Sequence, residues 1–267
     1  SSENMADLNR PIDTLILDMD GVIWRSFSPI GDIAWVFNRF RELNLKYALA
    51  TNNSTKTAGQ YVQKLAEIGA EVPESCIFTS SVAMAHLLKS RFPHGGPLFI
   101  LGEEGLQKPL REMGFYHQQE DVQAVVCGLD REFNFEKLGK VTYLIRSGLD
   151  FYMTNPDRTF PTTKGLGPGA GTIQAAIETA TDVKAILAGK PSPAMMYTVM
   201  QQIGAEPAST LVVGDRLETD ILSGQSAGCQ TALVLSGVTT REEAERWQPE
   251  IDYFSDDLEH LVRELFG

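Results

Sequence analysis

An apolar run that ends in two carboxylates separated by one residue, Leu15-Ile16-Leu17-Asp18-Met19-Asp20-Gly21-Val22, constrains this chain more than any other stretch. Residues 14–17 are apolar or branched at successive positions, the pattern of a strand buried on both faces of a parallel sheet. Such a strand has no room for two acids. They belong at its carboxyl end, the edge on which open α/β sheets bind ligands. An Asp nucleophile there needs a divalent cation to quench its charge before an anionic phosphate can approach, and a second carboxylate can handle protons. Two plainer readings compete. A calcium loop fails, because its fifth and twelfth positions are Val22 and Pro29. A simple turn also uses Asp and Gly, so the rest of the chain must decide.

Downstream, Ile33, Val36, Phe37, Phe40 and Leu43 recur at helical spacing before Lys46-Tyr47-Ala48-Leu49-Ala50, which makes a βαβ unit. The second strand ends in Thr51-Asn52-Asn53-Ser54, ahead of a helix with Tyr61, Val62, Leu65 and Ile68 on one face. Parallel strands put both exits on one edge, although this cluster is also a good helix cap. The alternation restarts after Ser80, with strands at 98–101, 124–127 and 151–153 and helical patterns after Glu103 and Phe135. Roughly 100 residues with their own βα units make a small domain rather than a loop. The turn-rich segment 155–165 carries one aromatic, Phe160. It leads through Gly167-Pro168-Gly169-Ala170-Gly171 into a helix near Thr172 and matches neither a dinucleotide nor a P-loop fingerprint. These glycines read as a connector passing close to a helix start.

The first pattern then resumes at Ala185-Ile186-Leu187-Ala188 and ends in Gly189-Lys190-Pro191-Ser192-Pro193. A second buried strand runs into acids at Val212-Val213-Gly214-Asp215-Arg216-Leu217-Glu218-Thr219-Asp220, and strands at 231–235 and 253–254 complete the set. The expected architecture is α/β, a doubly wound Rossmann-like parallel sheet core over residues 1–80 and 183–267 with an inserted α/β cap domain at 81–182.

With a net charge of −12 and no basic run, the chain has no nucleic-acid or anionic-membrane partner to expect. No apolar stretch approaches the roughly 20 residues that span a bilayer, and residues 1–5 carry no basic and apolar leader. Cys76, Cys127 and Cys229 are far apart and odd in number, which argues against a disulfide framework or a zinc site and for a reduced, cytoplasmic setting.

Singly, each polar cluster has an ordinary explanation. Jointly they do not, because Asp18 with Asp20, Thr51, Lys190 and Asp215 with Asp220 are all expected at carboxyl ends of parallel strands on one sheet edge. Carboxylates gathered there repel one another without a cation, and oxygen-only ligands suit Mg²⁺. A hydroxyl and an ammonium complete a phosphate cradle.

These four clusters, in this order, resemble the motifs of the haloacid dehalogenase superfamily phosphatases, in the subgroup with an α/β cap between the second and third motifs, similar to NagD and p-nitrophenyl phosphatases. The resemblance covers nearly the whole chain. It implies that Asp18 attacks phosphorus and that Asp20 protonates the leaving oxygen and later activates water. It implies Mg²⁺ on the Asp18 carboxylate, the Asp20 backbone carbonyl and Asp215, with Asp220 beside it directly or through water. Thr51, the Asn52 backbone amide and Lys190 would bind the phosphoryl oxygens. In the cap, Phe160, which precedes Pro161, would reach the leaving group, with Arg158 the next candidate. The implied activity is a Mg²⁺-dependent phosphatase of small phosphorylated metabolites such as p-nitrophenyl phosphate, sugar phosphates, phosphoglycolate or nucleotides, acting as a monomer or homodimer through an aspartyl phosphate. A receiver-like switch would need neither the cap nor Asp20 to turn over its phospho-Asp. A phosphotransferase would use the same chemistry.

Overall fold

The computed structural model describes residues 10–267; residues 1–5, read above for a leader, lie outside the described residues. β1 (Thr14–Leu17) is buried along its whole length and is followed by a tight hairpin of β2 (Trp24–Arg25) and β3 (Ser28–Pro29), then β4 (Lys46–Thr51) and β5 (Ile77–Thr79). The chain next builds β6 (Gly96–Leu101), β7 (Phe115–His117), β8 (Val125–Cys127) and β9 (Phe151–Met153). A hairpin of β10 (Thr159–Thr162) and β11 (Gly165–Pro168) precedes β12 (Ile186–Leu187). It closes with β13 (Thr210–Gly214), β14 (Gln230–Val234) and β15 (Tyr253–Ser255).

The chain divides into two compact units. One comprises the described residues up to Thr51 with 58–78 and 196–267; the other comprises 52–57 and 79–195. The first unit holds a six-stranded sheet in the order β15-β14-β13-β1-β4-β5. β1 pairs in parallel with β13 on one side and β4 on the other. Connections therefore leave β1 in opposite directions, and the crevice at the carboxyl ends of β1 and β13 is the switch point where doubly wound sheets bind ligands. Leu15, Leu17, Leu49, Leu211 and Val213 pack beneath it against Phe37 and Phe40 of the helix Ile33–Glu42.

The second unit is a five-stranded parallel sheet in the order β12-β9-β8-β6-β7. Val125, Cys127 and Met153 point into one apolar cluster and Ala124, Val126 and Tyr152 into another. Burial on both faces explains why these strands are continuously apolar. The inserted α/β unit thus has a core of its own.

One assignment needs correction. The run at 185–188 does not return the chain to the first sheet: Ile186 and Leu187 pair with Tyr152 and Met153, so β12 is an edge strand of the second sheet. The chain re-enters the first unit only at Met196, after the 182/183 boundary drawn from the sequence. Two paired apolar residues suit either sheet, and only tertiary pairing decides between them.

Candidate active site

In the first unit the strand exits bring three acids together. Asp18 follows β1 and donates its amide to the Val213 carbonyl at 3.0 Å, which ties the first acid to the strand that delivers the next. Carboxylate oxygens of Asp18, Asp215 and Asp220 lie within 4.8 Å of one another, with Asp215 and Asp220 buried. Asp215 stands just beyond β13, and its Oδ2 accepts the Val238 amide at 3.2 Å while its carbonyl accepts the Thr239 hydroxyl at 2.6 Å. Asp220 lies on a single π-helical turn, Leu217–Ile221, a widened geometry common at functional sites. Its Oδ2 accepts the amides of both Asp215 and Arg216 at 3.2 Å, so one acid shapes the loop that carries the other. Two glycines give the Asp215 carboxylate its space: a Cβ at Gly21, whose φ is +83°, or at Gly237 would overlap Asp215 Oδ2.

Asp20 is not in this cluster. Its exposed carboxylate accepts instead from the indole of Trp24, with Nε1 to Oδ1 at 3.0 Å. The Met19 carbonyl accepts the amides of Val22 and Ile23, and Gly21 donates to the Trp24 carbonyl, a tight coil that folds Trp24 back on Asp20. The fifth site residue of this unit, Thr51, is buried at the end of β4 and shares a hydrogen bond with the Tyr61 side chain. Burial, followed by the negative charge of Asp20, holds the Tyr61 hydroxyl well above the usual phenol range, so it stays protonated.

The second unit carries the other candidates. Asn52 and Lys190 are buried and joined by a two-way clamp. Lys190 donates its backbone amide to Asn52 Oδ1 at 2.8 Å, and Asn52 Nδ2 donates to the Lys190 carbonyl at 2.7 Å. The same Nδ2 reaches Asp157 Oδ1 at 3.0 Å, and the Ser80 hydroxyl donates to the Asn52 carbonyl at 2.8 Å. The resemblance implies a role only for the Asn52 backbone amide; its side chain holds the backbone of Lys190, a contact no spacing signals across 138 residues. Gly189 is required beside it, because a Cβ there would meet the Thr154 carbonyl at 2.5 Å and Asn52 Oδ1 at 2.6 Å. Phe160 is half-buried on β10, packs against the apolar core of this unit and lies 5.8 Å from the Arg131 guanidinium. Arg158 is exposed.

The donor set fits a hard divalent cation. Three carboxylates with oxygen donors, two of them buried, match Mg²⁺ chemistry and lack the nitrogen and sulfur ligands that zinc or copper prefers.

Residues 15–116 match the family described as haloacid dehalogenase-like hydrolase. Phosphoglycolate phosphatase 2 of Arabidopsis thaliana is 34% identical, over 98% of this chain and 96% of its own length. The chain belongs to the haloacid dehalogenase-like hydrolases. It is a phosphatase of that superfamily, in the branch of NagD and the p-nitrophenyl phosphatases. The structure of p-nitrophenyl phosphatase from Archaeoglobus fulgidus superposes with a TM-score of 0.89 at 32% identity, covering 96% of this chain and 100% of that one. NagD from E. coli K-12 gives 0.87 at 30% identity, covering 92% and 97%. Both family traits expected from the sequence, the parallel-sheet core and the inserted α/β unit, are present.

Proposed function

We propose that this chain is a Mg²⁺-dependent phosphatase of small phosphorylated metabolites that works through an aspartyl phosphate on Asp18. The observation that carries the reading is the convergence of Asp18, Asp215 and Asp220 at the switch point of the first sheet. A carboxylate oxygen of Asp18 bonds to phosphorus as the ester P–O bond breaks, and Asp20 gives its proton to the departing oxygen. Asp20, now ionised, takes a proton from water as that water bonds to phosphorus. The P–O bond to Asp18 breaks, releasing phosphate and restoring the first carboxylate. Thr51, Asn52 and Lys190 hold the phosphoryl oxygens. Asp18, Asp215, Asp220 and the Asp20 carbonyl would hold Mg²⁺, which when bound neutralises the charge that otherwise keeps a phosphate dianion from Asp18.

The relatives' names span phosphoglycolate and p-nitrophenyl phosphate, which supports monoesters of small alcohols and phenols as the substrate class. Three free thiols suit a reduced, cytoplasmic setting. The test is to mix the Asp20→Asn variant with acetyl phosphate and Mg²⁺, quench in acid and map the adduct by mass spectrometry. Phosphate on Asp18, absent from Asp18→Asn, is expected. Phosphate on another residue, or wild-type turnover by Asp18→Asn, contradicts the mechanism.

A further inference from the structure

Trp24 is too well placed to be only core. Its ring is 1% exposed, yet its one polar atom is not spent on the protein interior: it donates to Asp20 Oδ1 at 3.0 Å. Among the described residues this is the only hydrogen bond to that carboxylate. The ring is gripped from the helix Ala58–Glu67, where Tyr61 stacks on it with centroids 6.5 Å apart and planes 10° from parallel, and Lys64 Nζ stands 3.9 Å above its centroid. A cation over an indole face is attracted to its π electrons and draws density from the ring, which makes the N–H a stronger donor. Tyr61 also bonds Thr51, so one aromatic pair ties the acid after β1 to the hydroxyl at the end of β4.

We propose that Trp24 is the positioning residue for Asp20: its indole fixes Oδ1 and thereby assigns Oδ2 as the oxygen that gives and takes the proton. This rests on the reading of Asp20 as the general acid. An acid held in one orientation matters most when the leaving oxygen is basic and little when it departs readily as an anion. Loss of the indole N–H therefore weakens the enzyme selectively rather than uniformly.

The experiment measures kcat/KM, which ends at departure of the leaving group, for a series of monoesters from p-nitrophenyl phosphate to glycerol phosphate. The enzymes are wild type, Trp24→Phe, Asp20→Asn and the double variant. Trp24→Phe should lose about 10-fold on the alkyl ester and under about 3-fold on the aryl ester, a fraction of the roughly 10²–10⁴-fold that general acid catalysis supplies. Asp20→Asn should be steeper still, and adding Trp24→Phe to it should steepen it no further. If Trp24→Phe folds poorly, 3-benzothienylalanine at position 24 keeps the ring's shape and replaces the N–H by sulfur. A uniform loss or no loss in the Trp24 variants, with Asp20→Asn steep, overturns the proposal alone. An Asp20→Asn enzyme with the wild-type slope overturns the general-acid reading and the proposal with it.

Discussion

Asn52 clamps the backbone of Lys190 through its side-chain amide, and the two ends of that amide are not interchangeable. Its Oδ1 receives the Lys190 N–H while its Nδ2 faces two acceptors, the Lys190 carbonyl and Asp157 Oδ1, so the backbone of Lys190 dictates which end is which. Asn52→Ala leaves buried partners unsatisfied, at about 1–3 kcal/mol of stability for each such group, and should cost kcat/KM about 10- to 100-fold by loosening Lys190. Asn52→Asp should be worse, because an oxygen then opposes both acceptors. A partial recovery is expected when Asp157→Asn is added, since the new amide donates to the introduced carboxylate. Steady-state kinetics and thermal melting of the four proteins check this. An Asn52→Asp enzyme as active as wild type would show that the clamp does not position the lysine. Only half of this arrangement is legible beforehand. Thr-Asn-Asn and Gly-Lys-Pro announce polar groups at strand exits, but a side-chain contact across 138 residues has no period for a sequence to display.

Among elements, the legible ones are those whose burial leaves a pattern. β1, β8, β9 and β13 are sealed on both faces and read as apolar runs, and the acids just after β1 and β13 stand out against that background. β12 misled because its two residues are the minimum of a strand and say nothing about which sheet they join. The hairpin of β10 and β11 reads as loop in the sequence because Pro161, Pro168 and two glycines at 165 and 167 mask its alternation, and β7 leaves no apolar run because it is an edge strand with Phe115 alone buried. The π turn at Leu217–Ile221 is likewise silent in sequence, being made by the Asp220 carboxylate reaching back to the amides of Asp215 and Arg216. That dual duty can be separated. Asp220→Asn keeps an oxygen for the amides and removes the charge. It should fold with a near-normal melting temperature and require about 10-fold more Mg²⁺ for half-maximal rate, in the range seen when metal-orienting partners are lost. Asp220→Ala removes both and should add a loss of about 1–3 kcal/mol from the freed amides. If both variants melt alike, Asp220 does not shape the turn.

At the scale of the whole molecule, 35 acids against 23 bases make the three clustered carboxylates a concentration of negative charge within an already negative chain. A cation that binds this folded cluster and not the unfolded chain must raise stability by mass action, by about 2.7 kcal/mol at a concentration 100 times its dissociation constant. For a protein of this size, melting as a single transition, that corresponds to roughly 5–10 °C. Sodium chloride at equal ionic strength only screens surface charge and should give much less. Because the cluster lies within one of two compact units, the shift belongs to the transition of that unit, and a scan with two transitions should move only one. EDTA should abolish turnover and Mg²⁺ restore it, while Ca²⁺, larger and content with more ligands in looser geometry, should raise the melting temperature without restoring the rate. Asp215→Asn should lose the thermal response to both ions, since it neutralises a buried member of the cluster. A melting curve that ignores Mg²⁺ at concentrations saturating the rate would mean that the cation arrives with the substrate, and that the acids at the exits of β1 and β13 do not hold it on their own.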